Sequence, residues 1–148
     1  MLNIPLRTVG FICAILAAVT WGLVYTIDQK ILTKVSPFSL IFVSSLIVLA
    51  ISLPIVLHDP RPLRILLNSG KANLALVVFS VVLTTLANFL IFSGIKILGA
   101  STASIFEIAY PFFVILFSYF LFRTGLNAYF LFGSILIFLG SYVIIRFV

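Results

Sequence analysis

Nearly uncharged apolar stretches alternate with short polar breaks along the whole chain. Five such stretches stand at residues 8–27, 38–57, 72–98, 101–122 and 128–148. Each holds about 20 residues or more, which is what an α-helix rising about 1.5 Å per residue needs to cross a hydrocarbon layer roughly 30 Å thick. The pattern predicts an all-α integral membrane protein: one domain over residues 1–148 with five transmembrane helices. The first stretch is too long for a signal peptide and lacks a small-residue cleavage site, so it is expected to be retained.

The breaks carry the chemistry of helix ends. Residues 28–36, with Asp28, Lys30 and Lys34, are expected to form the first loop. Ser36-Pro37 supplies a capping hydroxyl followed by proline at the first helical position. Pro54 predicts a bend in the last turn of the second span. The longest break, residues 58–71, is punctuated by Pro60, Pro62 and Ser69-Gly70. Its Arg61, Arg64, Ile65, Leu66 and Leu67 predict a short interfacial helix. Gly99-Ala100 predicts a tight turn, and residues 123–127 with Gly125 another.

Composition agrees. Of 148 residues, 64% are hydrophobic and 8% charged, against about 25% charged in soluble domains. The net charge of +6 is spread over the breaks, as in loops between spans and unlike a nucleic-acid-binding patch. Cys13 lies in an apolar helix and His58 in a loop, and neither has partners for a metal framework. Arg7, Arg61, Arg64, Lys71 and Arg123 fall on one side, and Lys30, Lys34, Lys96 and Arg146 on the other. This small excess favours a cytoplasmic N-terminus, set by the long second loop. The near balance equally fits insertion in both orientations and antiparallel self-pairing.

Within these boundaries one acidic residue lies inside a span, Glu107, four residues before Pro111. Proline cannot donate to the carbonyl at i−4, so a carboxyl and a freed carbonyl coincide. Taken as one helix, the fourth span lines up Ser104, Glu107, Tyr110, Pro111, Val114 and Ser118 on a single face. The third span carries a stripe of Ser80, Thr84 and Asn88. Glu107 and Trp21 are each about 9 Å deep from the same side, Tyr110 about 13 Å and Asn88 about 15 Å. Intramembrane polar groups avoid lipid, so Glu107, Asn88, Tyr110, Trp21 and Thr84 are candidate lining residues of a shared cavity, with Pro111 as the helix kink.

Plainer readings stand beside these. Ser104 to Glu107 matches a Ser-x-x-Glu capping box, which makes Glu107 a helix cap. Asn88 fits an interhelical hydrogen bond, and the Ser/Thr stripe fits close packing. Trp21, Tyr25, Tyr129 and Tyr142 fit an aromatic belt. Gly133, Gly140 and Ser141 read as a packing or dimer face of the fifth span. No His–carboxylate pair, glycine-rich phosphate loop or nucleophile beside a base is present, so an enzyme is not expected.

Trp21-Gly22, the run FSGIKILGASTASIFEIAYP from Phe92 to Pro111, and Gly133…Leu136-Ile137…Gly140 together resemble one EamA repeat of the drug/metabolite transporter superfamily. The resemblance covers most of the chain. It departs from the family after the fourth span, where Gly-Glu is frequent and Arg123-Thr-Gly125 stands here. Family members commonly carry two such repeats in inverted orientation. The resemblance therefore implies a half-size exporter of a small metabolite or drug-like molecule, in the cell membrane and by expectation the bacterial inner membrane. A second copy of itself or another half-transporter would complete it. Inverted repeats hold substrate between halves and alternate access by rocking. No cofactor is expected beyond proton or cation coupling at Glu107. Two alternatives remain: translocation of a lipid-linked or anionic metabolite with a hetero-partner, using Lys96 and helix N-termini, and a non-transporting subunit that stabilises a larger complex.

Overall fold

The computed structural model describes residues 5–125 and 127–147. Among these residues lie seven helices and no strand: α1 (Leu6–Leu32), α2 (Pro37–His58), α3 (Arg61–Leu67), α4 (Lys71–Leu98), α5 (Ala100–Glu107), α6 (Tyr110–Phe122) and α7 (Ala128–Phe147). Five segments are long and apolar enough to cross a membrane: α1, α2, α4, α7, and α5 together with α6. The protein is an all-α, multi-pass membrane protein. Lipid offers no water to bond exposed peptide groups, so each apolar segment must satisfy its own backbone as a helix. Val148 and Leu126, the expected end of the fifth span and part of the last turn, lie outside the described residues.

Helix ends follow local chemistry. Ser36 Oγ accepts from the Ser39 N–H at 3.1 Å, and Pro37 opens α2. The short helix expected after Pro60 is α3. Gly99 closes α4 by donating its N–H to the Ile95 carbonyl at 2.9 Å, and opens α5 by accepting from the Ala103 N–H at 3.1 Å. Its φ of 82° lies where a side chain would clash with the backbone, which glycine avoids.

Three expectations are corrected. First, α1 continues to Leu32, so Asp28 sits in a helix and not in a loop. No proline or glycine intervenes between Gly22 and Pro37, and Gln, Lys and Leu are good helix formers. Glu107 is therefore not the sole acid in a spanning helix. Second, the fourth span is two helices. Ala109 donates to the Phe106 carbonyl at 3.3 Å and Phe112 to the Ala109 carbonyl at 3.1 Å, the three-residue steps of a tightened turn. Pro111 stands in the first turn of α6, where its missing N–H costs little. The face that unbroken periodicity would align from Ser104 to Ser118 is reset at Ile108 and Ala109. Third, a Cβ placed on Gly133 or Gly140 would meet nothing within 4 Å, so neither glycine marks a close helix approach within the chain. The packed positions of α7 are Ser134, which is buried, and Ser141, whose Oγ donates to Ile105 O at 3.3 Å and to Ile137 O at 2.9 Å.

The chain divides into two compact units, one running to Gln29 and resuming at Gly94, the other Lys30–Ser93. In the first, the Phe112 and Phe138 rings meet edge to face at 5.5 Å and join α6 to α7. In the second, the Phe38 and Phe89 rings lie 4.8 Å apart and join α2 to α4. Such ring pairs contribute about 0.5–1.5 kcal/mol beyond area burial.

Candidate functional site

The polar centre of the first unit is built where the last turns of α1 meet α5. Positions i, i+3 and i+4 of a helix share a face, and on α1 these are Tyr25, Asp28 and Gln29. Each side chain is held differently. The Tyr25 hydroxyl donates to Glu107 Oε1 at 2.9 Å, across 82 residues of sequence. Gln29 Oε1 accepts the N–H of Ala100 at 2.6 Å and thereby caps α5 from a neighbouring helix. Between them, Asp28 is only 7% exposed. Tyr25 is 9% exposed, and Glu107 is half-buried.

These bonds explain how α5 is placed. A helix leaves its first N–H groups without internal partners, and Gly99 has no side chain to supply one. Gln29 does so from α1. An added Cβ on Gly99 would meet the Gln29 amide oxygen at 3.5 Å, so both the backbone angle and the neighbouring side chain call for glycine there. At the other end of α5, the Tyr25–Glu107 bond ties down the last residue before the tightened turn. Small residues fill the space between: Ala100 and Ala103 are buried.

The candidate residues read from the sequence fall into two groups. Trp21 is 50% exposed and its ring centroid lies 5.5 Å from that of Tyr25. Tyr110, in the first turn of α6, is 61% exposed and within electrostatic reach of the Tyr25 hydroxyl, as are Glu107 and Asp28. Trp21, Glu107 and Tyr110 are thus linked through Tyr25, within one unit. Thr84 and Asn88 belong to the second unit. Thr84 Oγ1 donates to its own helix at Ser80 O, 2.9 Å away, the back-bonding that satisfies a hydroxyl without a partner helix. Asn88 is half-buried.

The capping-box reading of Glu107 is overturned. Its carboxylate lies at the C-terminal end of α5, seven residues past the helix start at Ala100, and Ser104 Oγ bonds Ser101 O at 3.0 Å. The aromatic-belt reading of Tyr25 is overturned by its burial and its bond to Glu107. Tyr129 and Tyr142 are exposed as a belt requires, and Tyr142 accepts from Arg146 at 3.1 Å.

Sequence reasoning passed over Tyr25, Asp28 and Gln29. Tyr25 was read as a belt residue within the first span, and the polarity of Asp28 and Gln29 suggested a loop, although the signal was available: helix-forming residues without a breaker up to Pro37 carry the three onto one face. Among the described residues, no group of three His, Cys, Asp or Glu side chains converges. The Tyr25–Glu107 pair offers a phenol and a carboxyl, hard oxygen donors suited to a proton or a cation.

The family model of the EamA-like transporter family matches residues 8–146. No curated protein and no solved structure matches the chain.

Proposed function

The chain belongs to the EamA-like transporter family, and from that premise we propose that it is a half-size transporter of a small metabolite or drug-like molecule, completed by an antiparallel second copy and working by alternating access. The observation that carries this reading is the Tyr25–Glu107 hydrogen bond between two membrane-spanning segments. An ionisable residue inside a span is costly and faces a pathway or cavity by default. Glu107 is here oriented by a buried phenol instead of turned to lipid.

In this reading Glu107 is the coupling carboxylate, with Trp21 and Tyr110 of the same unit as lining residues. The freed carbonyl beside Pro111 adds a second oxygen for a proton or cation in transit. Inverted repeats bind at their mutual interface, and the near-even distribution of Lys and Arg over the two sides suits a chain that inserts in both orientations.

Two experiments test this. Purified protein in liposomes should move solute in response to a proton gradient, and Glu107→Gln should lower that rate at least tenfold. Wild-type proton-coupled rates in Glu107→Gln would remove Glu107 from the mechanism. Reporter tags on the C-terminus should appear on both sides of the membrane. Tags on one side only, with a co-purifying second protein, would favour the subunit reading over the antiparallel pair.

A further inference from the structure

The short helix α3 stands between two spans. The second span ends at His58 and α4 begins at Lys71, so the link of residues 59–70 lies at one boundary of the bilayer. The α3 sequence RPLRILL sorts by helical spacing into two faces. Leu63, Leu66 and Leu67 share one face, and all three are exposed. Arg61, Arg64 and Ile65 share the other, which Asn68 and Ser69 extend. These last five residues line an open groove of about 620 Å³, within the size range of small-ligand pockets. A basic face opposite a leucine face is the pattern of a helix lying in the membrane interface.

The donors in the groove differ in what they already hold. Arg61 gives two side-chain N–H bonds to Asp59, at 2.8 and 3.1 Å, and its charge is offset there. Ser69 Oγ donates to the Leu66 carbonyl at 2.7 Å. Among the described residues, the Arg64 guanidinium and the Asn68 amide side chain hold no hydrogen bond or ion pair. Asp59 is the one acid between Lys30 and Ser93, so Arg64 and Lys71 leave the link with a positive charge that no carboxylate offsets.

We propose that this groove binds the phosphate headgroup of an anionic phospholipid. Arg64 is the anchor, because its planar fork of N–H groups matches two phosphate oxygens at once. Asn68 supplies a second donor, and Lys71 adds charge at the start of α4. Leu63, Leu66 and Leu67 enter the upper acyl layer beside the bound headgroup. Both faces are needed to choose the occupant. A soluble phosphate would use the arginine and leave the leucines in water. A zwitterionic lipid would cover the leucines but bring its own cation to the groove. The site lies within the Lys30–Ser93 unit and includes neither Glu107 nor Tyr25, so it goes beyond the transport reading and does not rest on it.

Native mass spectrometry of the full-length protein in detergent tests this. Phosphatidylglycerol and phosphatidylcholine with the same acyl chains are titrated separately, and the anionic lipid should bind more tightly. Arg64→Gln should weaken phosphatidylglycerol binding about fivefold, the worth of one basic residue at a membrane surface, and leave phosphatidylcholine binding unchanged. Asn68→Ala should weaken it less. Lys34→Gln, at the opposite end of α2, should bind as wild type. An undiminished preference in Arg64→Gln overturns the proposal. An equal loss in Lys34→Gln does so too, since net charge would then account for the effect. Glycerol phosphate, the headgroup without its chains, should not displace the lipid even in large excess. Displacement would give the groove to a soluble phosphate and overturn the lipid as its occupant.

Wild-type protein gives the same test without a variant. Phenylglyoxal modifies free guanidinium groups, and labelled peptides can be quantified. In nanodiscs of phosphatidylcholine it should modify Arg64. In nanodiscs containing phosphatidylglycerol Arg64 should be protected, while Arg123, exposed at the end of α6, should label alike in both. Equal labelling of Arg64 in the two lipids overturns the site, as does equal protection of Arg64 and Arg123.

Discussion

Two spans of this protein contain a proline, and they behave differently. In α2, Pro54 lies inside a helix that runs from Pro37 to His58 with no interruption. In the fourth span the chain breaks into α5 and α6 just before Pro111. The local chemistry is the same in both: each proline removes one N–H and leaves the carbonyl at i−4, that of Ala50 or of Glu107, without its helical partner. The surroundings differ. No residue of α2 is buried. By contrast, α5 is fastened at both ends from α1, by Gln29 on the Ala100 N–H and by Tyr25 on Glu107, and in between by Ser141 of α7 on the Ile105 carbonyl. Proline permits a break, and contacts from neighbouring helices decide whether the chain takes it.

That contrast can be tested by substitution. The largest effect is expected from Tyr25→Phe, which removes the donor to Glu107 while keeping the ring. Transport in liposomes should fall about tenfold, equivalent to about 1.4 kcal/mol, with the helical circular-dichroism signal unchanged. Wild-type transport would mean that the bond only packs the helices. Next, Pro111→Ala restores the N–H that reaches the Glu107 carbonyl. It should straighten the junction and lower transport about fivefold, or roughly 1 kcal/mol, whereas Pro54→Ala should leave transport unchanged. Equal effects of the two would erase the distinction between the spans.

Smaller effects concern stability. Gly99→Ala forces a side chain to φ 82° against Gln29, and should cost roughly 1–2 kcal/mol, seen as a lower unfolding temperature in detergent. Gln29→Ala leaves an α5 N–H uncapped and should cost about 1 kcal/mol. The smallest effect is expected outside the spans. Arg61 bonds Asp59 through its guanidinium, at 2.8 and 3.1 Å, and through its backbone N–H at 3.2 Å. These bonds hold the Asp59 carboxyl below its ordinary value of 3.8. A carboxyl depressed in the fold adds stability that is present above its ordinary value and lost as pH falls through the depressed one. Both groups are exposed and screened by solvent. Unfolding temperature should therefore not change between neutral pH and pH of about 5 on this account, and Asp59→Asn should match wild type there.

Much of this could be read from the residues in order. Apolar length dictates spans in lipid because unpaired peptide groups cannot be tolerated there. Caps such as Ser36-Pro37, the short helix after Pro60 and the Gly99 turn depend on neighbours within a few residues, so the sequence states them directly. It also singled out Glu107 and Pro111, since a lone acid and a proline within an apolar run are conspicuous without any knowledge of the fold.

What only the tertiary structure decided is who meets Glu107. Its partner lies 82 residues earlier, and no periodicity along one helix reveals a contact with another. Asp28 and Gln29 looked like loop residues because they are polar; that Asp28 is buried and that Gln29 caps α5 depend on how the helices meet. The break at Ile108 and Ala109 has the same origin. The sequence by itself determined five spanning segments and a carboxyl next to a proline. Packing between helices determined that this carboxyl is held by Tyr25, and that a tightened turn at Ile108 and Ala109 precedes the proline.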